Sequence, residues 1–332
     1  MPDPRRIQPG STYLLTRRCI ERRFLFTPDP DRHMERIFGF CLALLSERYG
    51  ILVHASVTLS NHWHLVVTDV RGNLPEFLRD VHSLIARCVN ARYRRPENVW
   101  AVRQPSAVLL LDAGAVWDKL AYCLCNAVSS GLVASHRAWP GFHTRPDAVA
   151  MLPKVYARPP EYFSSRTLLP ETATLVITKP PALAHLSDDS YVEELKRRVA
   201  AKESELQKRA KDGKRPFLGV PAVMAQDPHA HPQTPRPHAE LNPRVAASDG
   251  ELRKAHLGLL ADFLNSYAAA RAKWSKGDRR VRFPFGTYQL FHSHAVLLAP
   301  ALLRLVARFV LDDTGRQPFA SHQQRQHRGV AR

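Results

Sequence analysis

Apolar positions in the first half of the chain switch between two periods. STYLLTRRCI, residues 11–20, has an apolar centre with arginines at its end and predicts a strand. After the turn TPDPD, the run DRHMERIFGFCLALLSERYG spaces its apolar residues at three and four, which predicts a helix ended by Gly50. ILVHASVTL (51–59) and HWHLVVTD (62–69) read as the two strands of a hairpin, with Ser60-Asn61 as the tight turn. A second helix runs from about Leu74 to Arg95 and stops before Pro96. AVLLL (107–111) predicts a fourth strand, and AVWDKLAYCLCNAVSSGLV (115–133) a third helix closed by Gly131. The order β-α-β-β-α-β-α predicts an α+β fold on the split-βαβ, ferredoxin-like plan that RRM domains also use. One antiparallel sheet would carry two helices on one face and the third helix on the other.

The pattern weakens past residue 150. YVEELKRRVAAKESELQKRAKDGKR predicts a charged, solvated helix. QDPHAHPQTPRPHAELNPR (226–244), rich in proline and histidine, predicts a loop or linker. ELRKAHLGLLADFLNSYAAARAKW (251–274) is an amphipathic helical pattern, and RRVRFPFGTYQLF after it has strand character. The final residues, QPFASHQQRQHRGVAR, read as a basic tail. These shifts divide the chain into residues 1–150, a helical and linker region 151–249, and a mainly helical C-terminal extension 250–332.

Charge then narrows the class of partner. The 332 residues hold 48 Lys+Arg against 30 Asp+Glu, a formal net charge of +18. A cationic excess of that size points to a polyanion, and nucleic acid is the commonest. Five cysteines (Cys19, Cys41, Cys88, Cys123, Cys125) form no CxxC pair, so neither a zinc ribbon nor a disulfide framework is signalled. A reducing, cytoplasmic setting is expected. MPDPRRIQPG has no apolar h-region of a signal peptide. The long apolar stretch HAVLLAPALLRLVARFVL contains Pro300, Arg304 and Arg308, so it predicts an amphipathic helix and no membrane partner.

Candidate chemistry centres on SNHWHLVVTD. Side chains alternate along a strand, so His62 and His64 share one face while Trp63 points to the other with Leu65 and Val67. Two imidazoles at that spacing can share one divalent cation. The same H-x-H spacing recurs at His229/His231 and His292/His294, without the strand context. In the third helix, Tyr122 and Asn126 stand at i and i+4 on one face of an otherwise apolar element. A tyrosine oxygen, with a pKa of about 10, attacks phosphorus usefully when a cation polarises the phosphate. Two histidines and the Asn126 amide oxygen would hold that cation.

On these residues, the segment from Arg5 to Phe142 resembles the HUH single-tyrosine transposases of the IS200-like group, closest to the REP-associated tyrosine transposases. The opening RRIQPGSTYLLTRR, the hairpin VTLSNHWHLVV and the helix LAYCLCNAVSSGLV carry the resemblance, in matching order and spacing. It implies Tyr122 as nucleophile, His62, His64 and Asn126 as metal ligands, and Mg²⁺ or Mn²⁺ as the cofactor. Arg17 and Arg18, at the end of the first strand, and Arg22 and Arg23, just beyond it, are the expected DNA contacts. Tyr93 is the competing tyrosine. Ala127-Val128-Ser129-Ser130 replaces the proline and arginine that usually follow the asparagine, and AVLLLDAG lacks the family's basic residues.

The resemblance implies cleavage and rejoining of single-stranded or hairpin (REP-like) DNA through a 5′-phosphotyrosine link, in DNA transposition. It implies a bacterial, nucleoid-associated setting and admits a homodimer. The alternative is a domesticated DNA-binding protein without turnover. No Walker-type GxxxxGK[ST] motif is present.

Overall fold

The alternating pattern of Ser11–Arg18 forms strand β1. α1 (His33–Tyr49), β2 (Ile51–Leu59), β3 (His62–Asp69), α2 (Leu74–Tyr93), β4 (Ser106–Leu110) and α3 (Ala113–Leu124) follow along the chain. The computed structural model describes residues 4–234 and 243–300. The hairpin strands β2 and β3 fall on the predicted residues, and Gly50 closes α1 in the left-handed conformation at φ 66°. By Cα packing the chain forms two compact units, Met1–Ser266 and Tyr267–Arg332.

The first unit continues with α4 (Asn126–Ser129), β5 (Lys154–Ala157), β6 (Thr172–Leu175), α5 (Asp188–Asp212), α6 (Val220–Met224) and β7 (Val245–Ala246). α7 (Gly250–Ser275) starts in this unit and ends in the next. The result is a mixed α+β fold on a five-stranded sheet of order β2-β3-β1-β4-β7. The first four strands are antiparallel, and β7 adds parallel to β4.

Alternation sorts the side chains to two faces. Tyr13, Leu15, Trp63, Leu65 and Val67 join Phe38, Phe40, Leu42, Phe77, Val81 and Ile85 of α1 and α2 in one apolar cluster. Gly39 lets Tyr156 of β5 lie against α1, because a Cβ there would stand 2.1 Å from the ring. On the opposite face Leu14, Val57, Val66 and Val108 meet Leu120 and Leu124 of α3 and Tyr191 and Leu195 of α5.

Two expectations change in the first unit. The third helix does not run unbroken to Gly131. It is interrupted at Cys125 (φ −88°, ψ 9°), and Asn126 begins the short α4. α5 is not wholly solvated, because Tyr191, Val192, Leu195 and Val199 form a buried stripe and Tyr191 stacks on Trp117 at 5.2 Å. Its outer face holds the expected ion pairs, Glu194 with Arg197 and Arg198 among them. Residues past 140 also close both sheet edges. Thr58, Thr144 and Thr178 backbone bonds cover β2, and β7 covers β4.

In the second unit, β8 (Arg282–Phe283) and β9 (Leu297–Leu298) pair in parallel, with α8 (Gln289–His294) between them. Phe283, Val296 and Ala270 form its small apolar centre. The helix expected around residue 300 is not formed over its described part, where the chain leaves α8 at His294 and Leu297–Leu298 pair as β9; its remainder and the basic tail lie outside the described residues. No helix among the described residues is long and apolar enough to cross a membrane.

Candidate active site

The register of β1 against β3 places Arg18 opposite His62 and Thr16 opposite His64. Thr16 Oγ1 lies 2.8 Å from His64 Nδ1, and Asn61 Oδ1 lies 2.7 Å from His62 Nδ1. Each imidazole is thus held at Nδ1 by a neighbouring oxygen, the arrangement that orients ligating histidines in metal proteins. The two rings sit 4.9 Å apart, centroid to centroid, and perpendicular.

Asp112 caps α3 by accepting from the Ala115 N–H at 2.7 Å, and Trp117, Leu120 and Leu124 turn into the apolar cluster. That anchoring brings Tyr122 over His64, with ring centroids 5.3 Å apart. Just past the interruption at Cys125, buried Asn126 brings its Oδ1 to 3.1 Å from His62 Nε2. Lys119, one turn before Tyr122, places its ammonium 5.7 Å from the centre of the tyrosine ring. His62, His64, Tyr122 and Asn126, the four predicted residues, converge on one spot.

Burial governs the charge states. It pushes His62 down to about 4, against the Asn126 contact and with help from Arg18 and Arg22. Burial, then His62 and Arg18, hold His64 well below the ordinary histidine value. Both rings are neutral at pH 7. A neutral imidazole carries one N–H. His62 nevertheless faces an amide oxygen at each ring nitrogen, as the two amides are assigned, so one contact lacks a proton. A cation between His62 Nε2 and Asn126 Oδ1 would resolve it; two imidazoles suit zinc or another divalent transition ion, and the carbonyl oxygen suits Mn²⁺. Burial raises the Tyr122 hydroxyl above its usual value, opposed by its hydrogen bond to Asn126. It is protonated at neutral pH.

This cluster lines an open groove of about 1990 Å³. Among the described residues its walls carry eight arginine or lysine side chains and two carboxylates, Glu21 and Asp118. Of the expected DNA contacts, Arg17, Arg18 and Arg22 line it. Arg23 does not. It pairs with Glu21 at 2.8 Å and faces a smaller pocket with His231 and Thr234.

Tyr93 lies at the end of α2, its ring 5.9 Å from that of His229, and is not part of the groove lining. His292 and His294 belong to the second unit, against Tyr288 and Trp274. Asp29, Asp31 and His33 bring their ligand atoms within 4.8 Å of one another at the start of α1, where Asp29 also accepts from the His33 and Met34 N–H groups.

The reading from sequence missed Thr16, Asn61, Lys119, Arg5, Arg244 and Arg253. Lys119 was findable, three residues before Tyr122 on one helix. Thr16 needs the β1–β3 register, which no local pattern states.

No family model and no curated protein matches the chain. Among solved structures, the REP-associated tyrosine transposase bound to a REP hairpin is similar at 19% identity and a TM-score of 0.38, over 45% of this chain and 86% of that one. A candidate transposase from Deinococcus radiodurans R1 is similar at 13% identity and a TM-score of 0.26, over 36% and 93%. Both scores lie below 0.5.

Proposed function

We propose that this chain is a metal-assisted DNA strand transferase of the HUH single-tyrosine type, its first 150 residues a ferredoxin-like catalytic domain acting on single-stranded or hairpin DNA. One observation carries the reading. A tyrosine, two neutral imidazoles and an amide oxygen meet at the floor of a strongly basic groove.

His62, His64 and Asn126 would hold a Mg²⁺ or Mn²⁺ ion. Such an ion polarises a phosphodiester and offsets the charge that develops on its oxygens. The arginines of the groove seat the strand through its phosphates. Tyr122 Oη, losing its proton to solvent, forms the new bond to phosphorus as the 3′ oxygen leaves and takes up a proton. The product is a 5′-phosphotyrosine and a free 3′-hydroxyl. Attack by another 3′-hydroxyl reverses the step, so no nucleotide hydrolysis is needed. Arg18, whose positive charge opposes the effect of burial on the Tyr122 hydroxyl, favours the phenolate during attack.

The test is incubation with labelled single-stranded hairpin DNA and Mn²⁺, followed by denaturing electrophoresis. The wild type should give a covalent protein–DNA band. Tyr122→Phe should give none while still binding the DNA. Binding without any wild-type adduct would instead support a DNA-binding protein without turnover. An equal adduct from Tyr122→Phe would overturn the assignment.

A further inference from the structure

The groove's second wall comes from chain that the sequence left without a role. Val245 and Ala246 pair in parallel with Leu109 and Leu110, sealed by Leu109 N–H to Arg244 O and Leu111 N–H to Ala246 O, both 2.9 Å. The next turn is fastened to the helix that carries Tyr122. The Asp112 carboxylate, besides capping α3, accepts from the Ser248 N–H at 2.8 Å, the Ser248 hydroxyl at 2.7 Å and the Asp249 N–H at 3.2 Å. Gly114 is required for this approach, because a Cβ there would stand 2.2 Å from Ser248 Oγ. The segment is therefore fixed relative to the nucleophile.

It also adds charge. Arg244 and Arg253 join Arg5 in lining the groove. Arg5 donates to the Pro105 carbonyl, and Arg17 to the Arg103 carbonyl. Such bonds orient a guanidinium without neutralising it. Burial, then Arg244 and Arg17, bring Arg5 down to about 10, which places these like charges close together in a partly desolvated cleft. A fold does not gather cations this way for stability, since their mutual repulsion costs energy. An anion with spaced charges offsets it, and planar guanidiniums match phosphate oxygens.

We propose that residues 243–253 form a phosphate-binding wall of the groove, in which Arg244 and Arg253, with Arg5, seat backbone phosphates of a single DNA strand flanking the one Tyr122 attacks. This rests on the function proposed above, and adds to it that the catalytic groove is incomplete without chain far beyond residue 150.

The test reads the salt dependence of binding to a labelled oligothymidylate, using Tyr122→Phe protein so that cleavage does not intrude. Arg244→Gln with Arg253→Gln should lower the log–log slope by about 1.4, at about 0.7 for each phosphate left without its arginine. Arg253→Gln alone, an exposed position on α7, should lower it by about 0.7 with an unchanged melting temperature. Arg279→Gln in the second unit should leave the slope unchanged. A strand that binds with the same slope after both groove changes overturns the wall, even if the wild type forms an adduct. A slope that falls as stated, in a protein whose wild type never forms an adduct, keeps the wall and overturns the transferase. Absence of binding overturns both.

Discussion

The two faces of the central sheet are built to different rules. Beneath α1 and α2, Ile37, Phe38, Phe40, Leu42, Phe77, Val81 and Ile85 are fully buried against Trp63, Leu65 and Val67. On the other face α3 and α5 cover part of the sheet with apolar side chains. Thr16, Arg18, His62 and His64 stay at the floor of an open groove. Neutral imidazoles short of a proton partner and guanidiniums gathered in one cleft both cost stability. The closed face supplies the burial that lets the open face hold them, and the alternation of one strand, β3, serves both.

Breaking the closed face should have the largest effect. Phe38→Ala removes a ring at the centre of that core, in contact with Phe26, Trp63 and Phe142. It should cost about 3–5 kcal/mol in denaturant unfolding. A loss under about 1 kcal/mol would show the core to be placed elsewhere.

Acid should weaken the other face. His54, at the β2 bulge, contacts the Thr178 carbonyl oxygen and Thr68 Oγ1, and burial pulls its folded pKa from 6.5 to about 4. The unfolded chain takes up the proton first, so this contribution is full above pH 6.5 and is lost as pH falls towards 4. His54 alone accounts for about 3 kcal/mol of lost stability across that window. His62 and His64 shift the same way and add to the loss. Unfolding free energies that stay flat from pH 7 to pH 4 would refute the neutral, buried histidines.

The metal should act only on the open face. Mn²⁺ at a hundred times its dissociation constant would stabilise the wild type by about 2.7 kcal/mol. His62→Ala should lose that upshift in melting temperature, at a cost below about 1 kcal/mol without metal, because an open site contributes less to folding than a closed one. An upshift that survives in His62→Ala places the ion elsewhere, with Asp29, Asp31 and His33 the first alternative. The smallest effect belongs to Arg23→Ala. Its ion pair with Glu21 is exposed, so stability should move by less than about 0.5 kcal/mol. DNA affinity should drop less than for Arg22→Ala, since Arg23 lies outside the groove lining.

What the sequence made legible follows from which signals are local. Period-two alternation in HWHLVVTD fixed both the strand and the shared face of His62 and His64, and Tyr122 and Asn126 showed as polar residues in an apolar helix. The break at Cys125 left no mark in the apolar pattern, although it delivers Asn126 to His62. The stripe Tyr191, Val192, Leu195 and Val199 was present at helical spacing, but the surrounding charge concealed it. β7 is two residues long, too short for any period, and its parallel pairing to β4 joins positions more than a hundred residues apart. Thr16 beside His64, and Arg244 and Arg253 in the groove, depend on such distant pairings.

The central claim is that the open face is a nucleophilic site with Tyr122 as its reacting group. The most direct measurement is to trap the covalent complex formed with single-stranded hairpin DNA and Mn²⁺, digest it, and locate the nucleotide-bearing peptide by mass spectrometry. The account predicts the adduct on Tyr122, within LAYCLCNAVSSGLV. An adduct on Tyr93, or on any residue outside the groove, would contradict it.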